Sequence, residues 1–423
     1  MFDFAKKMKF KFIGICKNVA NNISDYSKIP NKDFSRKRVL TPLTVLMTVF
    51  NFGNQSLTKE LLNNKLVISR QSLSGALKKI NISAFVDIFK KSLDVQTKIR
   101  TIHGYQVAGV DGTYFSFKEN DKKSKQLLCV MVYDLLNHYY LDCNMSFTVL
   151  SEISNFLEML KNLINPIIFV FDRGYSSINL IAHLILNNKL FVIRTKDIKS
   201  NGILKKCKFK NMSFDTKYTF QLTRNQSLKY KQMHEYRFLS SNSKFDFIDV
   251  NDKTSVYEIT LRIVRFRLPS GNYETLLTNL PKFFTVDDLM RIYHLRWEIE
   301  TSFRDLKHTL NGLYFHTKNQ ENMIKEIYAK LTIYNYTKLI TNYNDYQQEL
   351  ITLFNEYKRK YIYKTNFSNA VSVVKNLFFY DITEELFVHI INIDKVPIRE
   401  NRKRDSSIFI KSVPVRSWNY RAA

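Results

Sequence analysis

Pro166-Ile167-Ile168-Phe169-Val170-Phe171-Asp172-Arg173-Gly174-Tyr175 holds five consecutive apolar residues, closed by proline on one side and by a charged turn on the other. An apolar run without alternation marks a strand buried on both faces, hence a central strand of a sheet covered by helices. It is far shorter than the ~20 residues of a membrane span. Asp172 stands at the end of this buried strand. There an ionised carboxylate is costly to desolvate unless it is paired or bound to a cation. Aspartates in such places commonly cap helices or close turns, so the position admits both readings.

Upstream of this strand, residues 106–112, 125–133 and 138–149 are rich in Val, Tyr and Phe, with turn residues such as Asn137 between them. They read as three antiparallel strands. A helix follows over 151–163, and downstream a helix over 177–187 leads to a strand at 190–194. Three strands followed by alternating helix and strand predict an α/β fold with a mixed sheet flanked by helices. This order is similar to that of ribonuclease-H-like domains. Asp111 ends the apolar segment Val107-Ala108-Gly109-Val110, making it a second strand-end aspartate. The two strands read as central neighbours, and two facing carboxylates repel unless a divalent cation lies between them.

Residues 201–282 break the alternation. Segments 218–222, 235–239, 245–250 and 256–267 read as strands, and Pro269-Ser270-Gly271-Asn272 as a hairpin turn. The expectation is a β-rich insertion that divides the catalytic core into a first part, 101–200, and a second part, 283–345. In the second part Thr285-Val286-Asp287-Asp288 resembles a capping box opening a long helix.

That helix carries Tyr293-His294-Leu295-Arg296-Trp297-Glu298-Ile299-Glu300-Thr301-Ser302-Phe303-Arg304-Asp305-Leu306-Lys307. At 100° per residue, Tyr293, Arg296, Glu300, Arg304 and Lys307 share one arc. Ile292, Leu295, Ile299, Phe303, Leu306 and Leu310 fill the next. Such a helix docks by its apolar stripe and holds a cation-flanked carboxylate at the rim of a cleft. The alternative is a solvated face of i,i+4 pairs such as Glu300 with Arg304. Glu298 points away from Glu300, and His294 and His308 face solvent.

The chain of 423 residues carries 65 basic and 38 acidic side chains, a formal net charge of +27. That excess favours a polyanionic partner, nucleic acid first, although a Lys- and Asn-rich codon bias would also produce it. Residues 1–100 read as a helical, basic N-terminal DNA-binding region. Its first residues form a basic amphipathic segment rather than a signal peptide. Two short helices at 57–64 and 69–80, joined at Asn64-Lys65, resemble a helix-turn-helix with Arg70, Gln71, Ser72 and Ser74 opening the second. Residues 346–423 form a helical region followed by a basic tail with Arg399, Arg402, Lys403, Arg404, Lys411 and Arg416. The four cysteines, Cys16, Cys129, Cys143 and Cys207, are scattered. They suit a reduced, cytoplasmic protein and argue against structural zinc.

Tyr293, Arg296, Glu300 and Lys307 match the spacing Tyr-x2-Arg-x3-Glu-x6-Lys. This resembles the Y-R-E-K signature of the bacterial insertion-sequence transposases in the family named for insertion sequence 4. Val110-Asp111-Gly112-Thr113 and Phe171-Asp172-Arg173-Gly174-Tyr175 are similar to that family's two aspartate motifs, in the same order. The resemblance implies a triad of Asp111, Asp172 and Glu300 holding Mg²⁺ or Mn²⁺, with two ions per site. It also implies phosphate contacts from Tyr293, Arg296 and Lys307. Arg173 is a further candidate for phosphate, and Trp297 for stacking on a base. The implied partners are double-stranded DNA (terminal inverted repeats and target) and a second copy of the chain in a synaptic complex. A metal-dependent nuclease without strand transfer, or a transposase-derived protein that binds without cutting, are the competing expectations.

Overall fold

The computed structural model describes residues 1–36, 38–94, 99–118, 124–147, 151–164, 166–205, 207–354, 362–393 and 395–398. The basic tail from Arg399, with Arg402, Lys403, Arg404, Lys411 and Arg416, lies outside the described residues, as does Val149.

Five helices open the chain: α1 (Phe2–Asn21), α2 (Pro42–Asn51), α3 (Leu57–Asn63), α4 (Arg70–Lys79) and α5 (Ile82–Ser92). Thr41 caps α2, whose first turn begins with Pro42, and Ser69 caps α4; both devices satisfy or dispense with N–H groups that the first turn leaves bare. Next come β1 (Gln106–Lys118), β2 (Ser124–Asp134), β3 (Tyr140–Ser146), α6 (Glu152–Leu160), β4 (Ile167–Phe171), α7 (Ile178–Leu186) and β5 (Leu190–Thr195). The following segment holds β6 (Phe214–Thr223), α8 (Leu228–Gln232), β7 (Tyr236–Phe238), β8 (Val256–Arg267) and β9 (Tyr273–Thr278). Helices α9 (Val286–His294), α10 (Trp297–Arg304) and α11 (Gln320–Phe354) lead to β10 (Ile362–Lys364), α12 (Phe367–Phe379), α13 (Glu384–Asn392) and β11 (Val396–Ile398).

The chain divides into two compact units: residues 97–116 with 125–303, and residues 1–96 with 117–124 and 304–423. The former contains a nine-stranded mixed sheet in the order β3-β2-β1-β4-β5-β9-β8-β6-β7. Strand β4 runs parallel to both β1 and β5, and all five of its residues are buried. The sheet flanked by helices, with β1 to β5 in the order 3-2-1-4-5, is the ribonuclease-H-like arrangement. Phe156 on α6 packs edge-on against Phe169 and Phe171, at 5.4 and 5.2 Å between ring centroids, and so fastens this helix to the strand that ends at Asp172.

The β-rich segment is an extension of that sheet. After the turn at Gly271, which adopts a φ of 87°, β9 pairs with β8 on one side and β5 on the other. Residues 245–250, expected as a strand, instead form turns. Asp246 accepts from Asn179 and pairs with His183, while Asp249 and Asp252 accept neighbouring backbone N–H groups. Local side-chain partners replace the ladder that a strand would need. Phe245 and Ile248 nevertheless stay buried in the core beside α7 and β8.

The other unit is helical around α11, which buries Lys325 and Lys330. Lys330 donates to the carbonyls of Asn311 and Tyr314, and Lys375 on α12 to those of Asn51 and Phe52 at the end of α2. Burial pushes Lys325, Lys330 and Lys375 each down to about 8. Phe12, fully buried on α1, meets Phe50 and Phe378.

Candidate active site

The parallel register pairs Val110 with Phe171, so Asp111 and Asp172, the residues that follow, lie side by side at the carboxyl end of β4; Asp111 does not end its strand as expected, because β1 runs on to Lys118. Adjacent strands lie about 4.8 Å apart, which sets the two carboxylates side by side. Asp111 Oδ1 accepts the Gly112 N–H at 2.9 Å. Asp172 Oδ1 accepts from Gly174 at 2.8 Å and Tyr175 at 3.3 Å, closing the turn Arg173–Tyr175. Asp172 thus caps a turn with one oxygen and keeps the other for further contacts.

Burial pushes the Asp111 carboxyl up to about 7; the charges of Asp172 and Glu152 act in the same direction, against the Gly112 N–H and Arg296. The folded state therefore retains a proton that the unfolded chain releases near pH 4. Stability from this group is fully present below about pH 4 and is lost as pH rises through about 7. In metal-free buffer, Asp111→Asn should remove that slope and leave the variant more stable than the parent at pH 8. Denaturant unfolding with a chelator at pH 5 and pH 8 measures this; equal differences at both pH values would refute it.

The segment bearing Glu300 departs from one continuous helix. Thr285 and Asp288 form the capping box of α9. The ladder then tightens, with Arg296 donating to Tyr293, Glu298 to Leu295 and Ile299 to Arg296. These i to i+3 bonds over-wind the junction and keep Ile292 and Ile299, both fully buried, against the core. Tyr293 and Arg296 are consequently buried at 8% exposure rather than placed on a rim. Arg296 Nη2 meets Glu300 at 2.8 Å and its Nη1 lies 3.9 Å from Asp111; its Nε has no hydrogen-bond partner. One guanidinium thereby links the carboxylate of α10 to that of β1. Burial raises the Tyr293 phenol, with Arg296 and Arg194 opposing, and Arg194 pairs with Glu274 at 3.4 Å. Glu274 did not stand out in the sequence because strand β9 was not recognised, and Arg194, at the end of the strand read over 190–194, gains its role only from pairing with it.

Trp297 is 60% exposed, with the Arg296 guanidinium 5.1 Å from its ring. Arg173 is exposed beside Asp172, and His294 and His308 face solvent. Glu298 points to His138, at 3.7 Å. Lys307 belongs to the helical unit, half-buried on the π-helical turn Asp305–Thr309.

Asp111, Asp172 and Glu300 offer oxygen donors, which suit Mg²⁺ or Mn²⁺. Among the described residues no three carboxylate, His or Cys side chains are placed to hold an ion as they stand. Arg296 occupies Glu300 instead. The donors fit in kind, and the Asp111 carboxyl, raised first by burial and further by the charges of Asp172 and Glu152, is a group whose charged form a cation would favour.

In the helical unit, α3 and α4 meet at a turn where Lys65 takes a φ of 56°. Leu73 and Leu77 are buried while Arg70, Gln71 and Ser72 are exposed. Gln71, Ser72 and Lys79 line a cleft of about 820 Å³ with Lys32, Arg36 and Arg38. Among the described residues no helix is long and apolar enough to cross a membrane.

No curated protein matches the chain. Among solved structures it is similar to piggyBac transposase in a cryo-EM synaptic complex with hairpin DNA, at 12% identity over 93% of this chain and 88% of that one, with a TM-score of 0.47. It is also similar to an endonuclease V from Bacillus subtilis, at 17% identity over 53% of this chain and 94% of that one, with a TM-score of 0.22. Residues 102–336, more than half of the sequence, match the family described as the transposase DDE domain, and the chain belongs to that family.

Proposed function

We propose that this transposase is of the Y-R-E-K kind named for insertion sequence 4, binding terminal inverted repeats and cutting and joining DNA by a cut-and-paste route. The observation that carries the proposal is the edge of the sheet where Asp111 and Asp172 emerge from paired strands, with Arg296 tying Glu300 to Asp111. In this reading Asp111, Asp172 and Glu300 hold two Mg²⁺ or Mn²⁺ ions. When bound, the ions activate the attacking water or 3′-hydroxyl and stabilise the leaving oxygen. Arg296 meanwhile offsets the negative charge of the carboxylates, and a phosphate contact from it requires release from Glu300. Exposed Arg173 and Trp297 border the same edge and suit phosphate and base. Tyr293 and Lys307 complete the DNA-contacting set. Arg70, Gln71 and Ser72 at the start of α4 suit base edges, and Arg36, Arg38 and Lys79 of the cleft suit the backbone. Two element ends must be held at once, so the working form on DNA is a homodimer.

Incubating the protein with pre-cut element ends, supercoiled plasmid and Mn²⁺ should yield joined products. Cleavage without joining would replace this reading with a nuclease. End-specific binding without cleavage would replace it with a DNA-binding protein that does not cut.

A further inference from the structure

Glu152 opens α6 directly behind the cap Ser151, and its carboxylate lies across the backbone at Gly112. A β-carbon added to Gly112 would stand 2.5 Å from both Glu152 Oε1 and Cδ. Glycine at the residue after Asp111 is thus what lets this fourth carboxylate approach. Beside it lies Tyr175, only 2% exposed, with its hydroxyl turned to Glu152. Burial pushes that phenol well above its usual range; among the charges acting the same way Glu152 is the largest, followed by Asp111 and Asp172. A buried donor thus sits among three carboxylates and engages Glu152 first, holding it toward Asp111.

We propose that Glu152 is a fourth carboxylate ligand of the metal centre, on the Asp111 side, with the Tyr175 hydroxyl as the donor that orients it. This rests on the reading that Asp111, Asp172 and Glu300 hold divalent cations. Charge balance points the same way. Two divalent ions carry four positive charges, the triad supplies three negative ones, and Glu152 supplies the fourth. With the ions on the carboxylates, Arg296 is no longer needed to offset their charge and is free for a phosphate. Ligand charge count is also what sets the affinity of oxygen sites for hard cations.

The test is Mn²⁺ binding to the full-length protein without DNA, followed by titration calorimetry and by the loss of the free Mn²⁺ electron-paramagnetic signal. Glu152→Gln keeps the shape and removes the charge. It should weaken Mn²⁺ binding by about 10–100-fold or remove one of two ions, while melting without metal is unchanged. Gly112→Ala, which displaces the carboxylate, should reproduce that loss. Tyr175→Phe should give a smaller one. Parent-like Mn²⁺ binding by a folded Glu152→Gln or Gly112→Ala protein, while Asp111→Asn loses it, overturns the assignment of Glu152. Absence of Mn²⁺ binding by the parent itself would instead overturn the metal reading on which it rests.

Discussion

Asp172→Asn, Asp111→Asn and Glu300→Gln should each lower strand cleavage at a labelled element end by at least roughly 10³-fold, the loss of about 4 kcal/mol of transition-state stabilisation. Each substitution keeps shape and hydrogen bonding but removes the charge that a hard cation requires. Asp172 retains an oxygen beyond its turn-closing bonds to Gly174 and Tyr175. An amide in its place can still close that turn, so the lost activity is not explained by a lost cap. Asp111→Asn is the sharper variant, since relief of the buried charge makes the folded protein more stable at alkaline pH while it loses activity. A variant that cleaves at the parent's rate would remove that residue from the site.

Phe156→Ala should cost about 3–5 kcal/mol of folding stability, because it removes a fully buried ring and leaves a cavity. The ring it deletes packs on Phe169 and Phe171, the residues that hold β4 against α6 just before Asp172. Denaturant unfolding measures the loss, and a change below about 1 kcal/mol would mean that the site collapses around the missing ring. Because α6 also carries Glu152 and β4 ends at Asp172, cleavage should fall as well in whatever fraction stays folded.

Much of the fold was legible because it rests on local patterns. The unbroken apolar run of Ile167–Phe171 announced a central strand, and the structure buries all five residues. The capping box at Thr285 and the short helices α3 and α4 follow from side chains within a few positions of one another. The strand at 245–250 failed for an equally local reason: aspartates that bond their own neighbours compete with strand pairing. Periodicity failed differently around Glu300. It assumed one regular helix, whereas burial of Ile292 and Ile299 over-winds the junction and draws Arg296 inward.

Glu152 was hidden because an acidic residue in the first turn of a helix already has an ordinary explanation in the helix dipole. Only the packing of α6 over Gly112 brings it toward Asp111 and Tyr175. By itself, then, the sequence determined the central strands, the aspartate that follows β4 and the mixed character of the sheet, all readable from the order of apolar and turn residues, whereas the run of β1 past Asp111 to Lys118 did not show there. The tertiary structure alone decided that β9 joins the insertion to β5, that Arg296 ties Glu300 to Asp111, and that Glu152 approaches the same edge. Strand pairing and charge contacts of that kind join residues tens to hundreds of positions apart, and chain closure, not local propensity, brings them together.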